Sequence, residues 1–192
     1  MTEHAPVSLP SAWASRWLNG SSRRGRLLDL ACGSGRHSRL AIELGYEVLA
    51  VDKDALALAG VPQGARKLQA DLESEDAPER FFRPNVKQFD VVLVTNYLYR
   101  PHFERMLDCV APEGLLVYET FAAGNAQFGR PSNPDFLLQP RELLYRLNTD
   151  WHILGYEDGV CQGRARVQRI AAIRLPGLNS EALLAAHPVE SA

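Results

Sequence analysis

Four short stretches set small residues beside carboxylates or amides in a way that suits the binding of a polar ligand. Asp29-Leu30-Ala31-Cys32-Gly33-Ser34-Gly35 puts an alanine and two glycines directly after an acid, so a ligand can approach the backbone closely. Asp52 closes an apolar run, the place from which one carboxylate accepts both hydroxyls of a ribose, and Lys53 follows it. Asp71-Leu72 closes a third short run, in reach of a neighbouring base. Thr95-Asn96-Tyr97 ends a fourth and faces across the same crevice. Each also has a plain structural reading: the glycine loop as a tight turn, Asp52 as a helix cap, Asp71 as part of a solvated acidic loop. Their recurrence at successive strand ends points to a nucleoside-containing ligand.

The elements that must carry these residues follow from the hydrophobic pattern. Arg26 to Ala31 is a short apolar run bounded by glycines, as in a buried parallel strand. Arg36 to Leu44 reads as a helix closed by Gly45. Tyr46 to Val51 is a second strand, Asp54 to Leu58 a weaker helix, and Lys67 to Ala70 a third strand. The polar stretch from Glu73 to Lys87 reads as irregular. Phe89 to Val94 is the most strand-like run of the chain. Pro101 to Val110 follows as a helix, Pro112-Glu113-Gly114 as a turn and Leu115 to Tyr118 as a fifth strand. This alternation predicts an open, mostly parallel sheet with right-handed crossovers. Beyond a long segment from Phe121 to Pro140 and a helix over Arg141 to Leu147, Trp151 to Glu157 and Arg164 to Ile173 read as an antiparallel pair around Asp158-Gly159. An N-terminal helix begins near Pro10 or Ser11, with Trp13 and Trp17 on one face. The tail from Pro176 is a short frayed helix or carries no regular structure.

Composition removes several classes. The chain has 192 residues, 46% hydrophobic and 23% charged, an ordinary balance that predicts one domain over residues 1–192, with a helical segment at 1–25, a core at 26–175 and a tail at 176–192. Lys and Arg number 21 against 23 Asp and Glu, a formal net charge of −2, which argues against a general binder of nucleic acid or acidic membranes. No stretch approaches the ~20 apolar residues of a membrane span. The N-terminus MTEHAPVSLP shows no secretory signal, so a cytoplasmic protein is expected. Cys32, Cys109 and Cys161 form no Cys-x-x-Cys pair and read as free thiols. The five histidines are scattered, and no metal is assigned.

The dinucleotide fingerprint Gly-x-Gly-x-x-Gly/Ala ends in a small residue, but Gly33-Ser34-Gly35-Arg36-His37-Ser38 puts a serine there. Asp29 would also gain nothing from a pyrophosphate, whereas a ligand with an amino group and a sulfonium would be attracted. Leu28 to Ser38 resembles the first motif of class I S-adenosylmethionine-dependent methyltransferases, close to the small-molecule group that includes tellurite-resistance-type enzymes. Ala31 stands at the first glycine of that motif. Val48 to Asp52 resembles the second motif, Ala70-Asp71-Leu72 the adenine-contact motif, and Phe89 to Asn96 the strand-four motif. Pro112 to Leu116 matches the segment that follows, and the resemblance covers Leu27 to Val117. It implies an α/β, Rossmann-like class I methyltransferase fold: a mostly parallel seven-stranded sheet with a C-terminal antiparallel hairpin and helices on both faces. It also implies S-adenosyl-L-methionine as cofactor, held by Asp29, Ala31, Cys32, Gly33, Gly35, Asp52, Lys53, Asp71, Leu72, Thr95 and Asn96.

An activated methyl group is transferred by in-line displacement, so the protein's main task is to hold the acceptor in near-attack geometry and exclude water. A base is needed only for an acceptor that arrives protonated. Candidates for the acceptor side are Tyr97, His102 and Glu119 as catalytic residues, with Tyr99, Tyr118 and Thr120 beside them. Glu119 has a rival role as an ion-pair partner of Arg141. Residues 124–131, with Phe128 and Arg130, either cover the acceptor or form a static excursion. Trp13 and Trp17 read as a core stripe, with a cofactor lid as the rival role. Arg23, Arg24 and Arg26 read as a solvated run, with a contact to the cofactor carboxylate or to phosphate as rivals. Arg164, Arg166 and Arg169 do not share one strand face, which weakens an RNA-binding patch. The expected partner is a small-molecule methyl acceptor, with no stable nucleic-acid or membrane partner and a monomer or homodimer. The alternatives are a methyltransferase acting on RNA or protein, a nicotinamide-dependent oxidoreductase, or a non-catalytic nucleotide-binding protein. Against amino-methylation of nucleic acid, Thr95-Asn96-Tyr97-Leu98 stands where an Asn-Pro-Pro-Tyr motif would be.

Overall fold

Leu27 and Leu28 are adjacent on strand β1 (Arg26–Leu30), point to opposite faces and are both fully buried, so the sheet carries a core on each side. The computed structural model describes residues 9–21, 24–77, 81–82, 88–147 and 149–175. After α1 (Ala12–Gly20) and β1 come α2 (Arg36–Glu43), β2 (Glu47–Asp52), α3 (Ala55–Ala59), β3 (Arg66–Gln69) and β4 (Phe89–Thr95). A 3-10 turn (Arg100–His102) leads into α4 (Phe103–Asp108), followed by β5 (Val110–Phe121), α5 (Glu142–Arg146), β6 (Trp151–Cys161) and β7 (Ala165–Arg174). The seven strands lie in the order β3-β2-β1-β4-β5-β7-β6. Strands β1 to β5 pair in parallel, and β7 runs antiparallel to both β5 and β6. The expected architecture is therefore present, hairpin included.

Strand parity sorts the two cores. Leu27, Val91, Leu93, Leu115 and Val117 pack with Trp13, Ala14 and Leu18 of α1 and Ala41 of α2. Leu28, Leu30, Val92, Val94, Leu116 and Tyr118 pack with Phe103, Met106 and Leu107 of α4 and Leu143 of α5. The chain reverses strand order at β1, between β2 and β4, and this opens a crevice beyond their carboxyl ends.

Three expected boundaries move. Asp158-Gly159 lies inside β6, and the hairpin turns at Gln162-Gly163 instead. Both residues have positive φ (50° and 67°), and the Arg164 N–H donates to Cys161 O at 2.9 Å, the turn geometry that matches strand twist. Pro112-Glu113-Gly114 is no free turn but a bulge within β5: the register passes from Phe89↔Val110 to Val91↔Leu115. The helix expected over Pro101 to Val110 is shorter, because Val110 already pairs with β4.

Trp13 and Trp17 form an edge-to-face pair, 5.5 Å between centroids, and lie over Gly155 of β6. They pack on the sheet as the core-stripe reading holds. Arg24 stacks on Tyr46 and Arg26 on Phe89, so these two are not simply solvated, while Arg23 lies outside the described residues. The tail from Pro176 and much of Glu73 to Lys87 also fall outside them. No helix among the described residues is long and apolar enough to cross a membrane.

Candidate functional site

The loop after β1 is built from left-handed backbone. Ala31, Gly33 and Gly35 have φ of 52°, 55° and 76°. At Gly35 a Cβ would stand 2.8 Å from Val61 Cγ2, so packing of the loop on residue 61 requires glycine. At Gly33 a Cβ would meet no protein atom within 4 Å, and its backbone borders open space at the crevice. The Gly33 N–H donates to Asp52 Oδ2 at 2.7 Å, and the Asp54 N–H to Asp52 Oδ1 at 2.9 Å. These bonds fix the carboxylate while each oxygen keeps a free lone pair for a hydroxyl donor. Asp54, not Asp52, caps the following helix, accepting from Leu56 and Ala57. That removes the capping reading of Asp52.

Beneath the loop, Asp29 is fully buried, with Oδ2 accepting from the Ser38 hydroxyl at 2.6 Å. Its Oδ1 has no partner among the described residues. Burial pushes the carboxyl up to about 6, against the pull of Ser38 and Arg36. A buried carboxylate with an unpaired oxygen below an open glycine suits a ligand that brings positive charge. It does not suit a pyrophosphate. The serine that departs from the dinucleotide fingerprint is thus the residue that holds the acid.

His37, buried at the start of α2, joins three elements. It accepts the Ser11 backbone N–H at Nε2 (3.1 Å), so its proton is on Nδ1, which donates to Thr95 Oγ1 (3.3 Å). Burial lowers its pKa to about 4 and keeps it neutral. Sequence reasoning passed over His37, Ser11 and Ser38, although Ser38 was visible as a departure from the dinucleotide pattern.

The other candidates separate into groups. Ala31, Cys32, Gly33 and Gly35 form the loop after β1, Asp52 ends β2 and Thr95 ends β4; Asn96, with φ 55°, donates its N–H to Glu119 O. Burial pushes the Cys32 thiol up, so it stays protonated. Asp71 is exposed and accepts the Glu73 N–H at 3.0 Å. Lys53 points along this loop, 3.8 Å from Glu73. Leu72 is buried and its carbonyl accepts from His102 Nδ1 at 2.8 Å.

That bond engages one ring nitrogen of His102. Its ring is packed against Phe82 and Tyr99 and borders a small space of about 10 Å³ with Tyr97, Tyr118 and Met106. Glu119 is also committed. Strand parity turns it toward α1, where it faces Ser11 and stands 2.6 Å from Arg169 Nε. The Arg169 N–H is too far off line for a hydrogen bond, so charge attraction holds this pair. The expected rival, Arg141, is not its partner. Burial pushes the Glu119 carboxyl up against the pull of Arg169. Tyr118 is buried and donates to the Tyr97 carbonyl at 2.6 Å.

Thr120, one residue on, points the other way and lines a cavity of about 300 Å³ with Asn96, Tyr97, Phe121, Pro131 and Phe136. Tyr97 is the one residue of the expected catalytic set on this cavity, and burial raises its phenol above the ordinary value. The covering segment is anchored rather than loose. Asn125 bonds Pro131 O and the Arg166 N–H, and Arg100 holds Asp135 O, Leu137 O and Glu142. Phe128 does not line the cavity, whereas Phe121 and Phe136 do.

A Rossmann-like sheet with an antiparallel hairpin, a glycine loop over a buried acid and a fixed carboxylate after β2 define the class I methyltransferase fold. Residues 27–114 match the family model described as a methyltransferase domain. YqeM of Bacillus subtilis strain 168, provisionally named a methyltransferase, is 27% identical over an alignment of 140 positions that covers 64% of this chain and 52% of YqeM. The chain thus spans about half the length of this curated relative. TehB from Haemophilus influenzae superposes with a TM-score of 0.65 at 17% identity, over 84% of this chain and 61% of TehB. An S-adenosylmethionine-dependent methyltransferase from Mesorhizobium loti gives 0.63 at 18% identity, over 84% of this chain and 96% of its own. At these identities the two structures speak for the fold. Together with the family model they support a class I S-adenosylmethionine-dependent methyltransferase, for which S-adenosyl-L-methionine is the implied cofactor.

Proposed function

We propose that this chain transfers a methyl group from S-adenosylmethionine to a small-molecule acceptor. The observation that carries the reading is the crevice at β1 and β2, where Gly33 leaves open space beside the fixed carboxylate of Asp52 and above buried Asp29. Asp52 would accept the ribose hydroxyls, with Lys53, Asp71 and Leu72 toward the base. Asp29, Ala31, Cys32, Gly33, Gly35, Thr95 and Asn96 would border the amino-acid end. Held there, S-adenosylmethionine would supply an activated methyl group, the acceptor's lone pair replacing the carbon–sulfur bond and that bond's pair going to sulfur. The chain's own residues orient and shield. Asn96, Tyr97 and Thr120 line the acceptor cavity, and Phe121 and Phe136 keep water out. An acceptor that arrives protonated releases its proton after transfer.

The reading extends to a single domain over the whole chain, a cytoplasmic location, a monomer or homodimer, and no stable nucleic-acid or membrane partner. The absence of a basic excess and the ion pairs of Arg166 and Arg169 support it. Calorimetry with S-adenosylhomocysteine and with NAD tests the cofactor. S-adenosylhomocysteine is expected to bind, and Asp52→Ala to weaken it by about 1.5–3 kcal/mol, the worth of charge-assisted hydrogen bonds. Binding of NAD alone overturns the reading, and an unchanged constant for Asp52→Ala removes that residue from the site.

A further inference from the structure

Asn96, Tyr97 and Thr120 stand on the wall of the acceptor cavity together with Glu73, which pairs with Lys53 at 3.8 Å. A second, open recess of about 430 Å³ is bordered by Arg130, Ser132 and Asn133. Phe121, Pro131 and Phe136 line both, so the two adjoin at an apolar waist, the cavity at Asn96 as the inner part and the recess at Arg130 as the outer. Arg130 has no ion-pair or hydrogen-bond partner among the described residues, unlike Arg100, Arg146, Arg166 and Arg169. The loop that carries it is held on both sides, by Asn125 and by Arg100, so the guanidinium is presented at the mouth of a built space.

From this arrangement we infer that the acceptor is a small organic acid with an apolar, ring-sized body, bound with its anionic group at Arg130 and its methyl-accepting atom at Asn96 and Thr120. The inference rests on the methyltransferase reading for the identity of the inner end. The waist of two phenyl rings and a proline takes an apolar body and gives a polar chain nothing to bond. A guanidinium is a planar, two-pronged donor that matches a carboxylate. Among the described residues Arg130 is the unpaired cation beside the waist, and the carboxylate of Glu73 on the inner wall gives an anion no partner, so one orientation is favoured over the other. The inner cavity lies at the lower end of the range for small-molecule sites, which limits the body to one or two rings.

The test uses three probes of one shape: 3-phenylpropanoate, 3-phenylpropanamide and 3-phenylpropylamine. Their affinities are measured by calorimetry or ligand-observed NMR on the full chain, with and without saturating S-adenosylhomocysteine. The acid is expected to bind, with the amide and the amine each at least roughly tenfold weaker. Arg130→Gln should equalise acid and amide while leaving the affinity for S-adenosylhomocysteine unchanged. Phe136→Ala should weaken acid and amide alike and keep their ratio. An acid that binds no better than its amide, or a preference that survives Arg130→Gln, overturns the proposal. If S-adenosylhomocysteine itself fails to bind, the methyltransferase reading falls, and the acid-to-amide ratio on the free protein still decides the character of the cavity.

Discussion

Asp29 and His37 are buried titratable groups eight positions apart, displaced in opposite directions by the same cause. Burial disfavours charge, so it raises the acid to about 6 and lowers the imidazole to about 4. Their effects on stability therefore oppose each other. Asp29 has the higher pKa in the folded state, which holds the extra proton, so its contribution falls as the pH rises from about 4 to 6. For His37 the unfolded chain holds the extra proton, so its contribution rises from about pH 4 to 6.5. Asp29→Asn should leave a steeper rise of stability with pH than the native chain shows, and His37→Gln a fall, each difference on the order of 3 kcal/mol across the window. Urea unfolding at several pH values measures both, and parallel profiles for all three proteins would refute the assignment. The glycine loop, Asp52 and the small-residue spacing were legible because they are local in sequence. The partner of Glu119 was not. Parity alone turns Glu119 and Thr120 to opposite sides, but which side holds the cavity depends on a segment some ten residues or more further along the chain.

At the scale of elements, α1 links the site to the far edge of the sheet. Its first turn reaches His37 and Glu119 through Ser11, and its two tryptophans cover Gly155 of β6. A Cβ at position 155 would stand 2.8 Å from Trp17 Cζ2 and 3.2 Å from Trp13 Cη2, closer than packed carbon atoms allow. Gly155→Ala should therefore lift α1 and cost about 1–3 kcal/mol in urea unfolding, with part of the loss restored by adding Trp17→Leu. Unchanged stability for Gly155→Ala would show that the helix is not held there. The alternation of strands and helices was legible because parallel strands buried on both faces leave near-continuous apolar runs. Turn chemistry was less so. Asp158-Gly159 carries the common hairpin signature, yet the registers of β5, β6 and β7 extend the ladder past it to Gln162-Gly163. Pro112-Glu113-Gly114 likewise has turn composition, but Val110 is drawn into the ladder by its pairing with Phe89 and makes the segment a bulge.

For the whole molecule, the sheet is shared by both hydrophobic clusters, since alternate residues of β1, β4 and β5 belong to one and then the other. Neither cluster can lose its sheet wall without exposing the back of the other, which calls for one cooperative unfolding transition. The crevice lies where β1 meets β2 and β4, at the middle of that shared wall, so a ligand bound there stabilises the unit as a whole. S-adenosylhomocysteine at 100 times its dissociation constant should add about 2.7 kcal/mol, which for a chain of this size is a rise of roughly 5–10 °C in Tm. The rise should grow with the logarithm of ligand concentration, and fluorescence of the α1 tryptophans should report the same midpoint as far-ultraviolet circular dichroism. Tryptophans that melt before the sheet would mean that α1 is a separate unit laid on the domain. In that case the bond of Ser11 to His37 would belong to a dockable cover for the crevice, and ligand should raise the tryptophan midpoint more than that of the sheet.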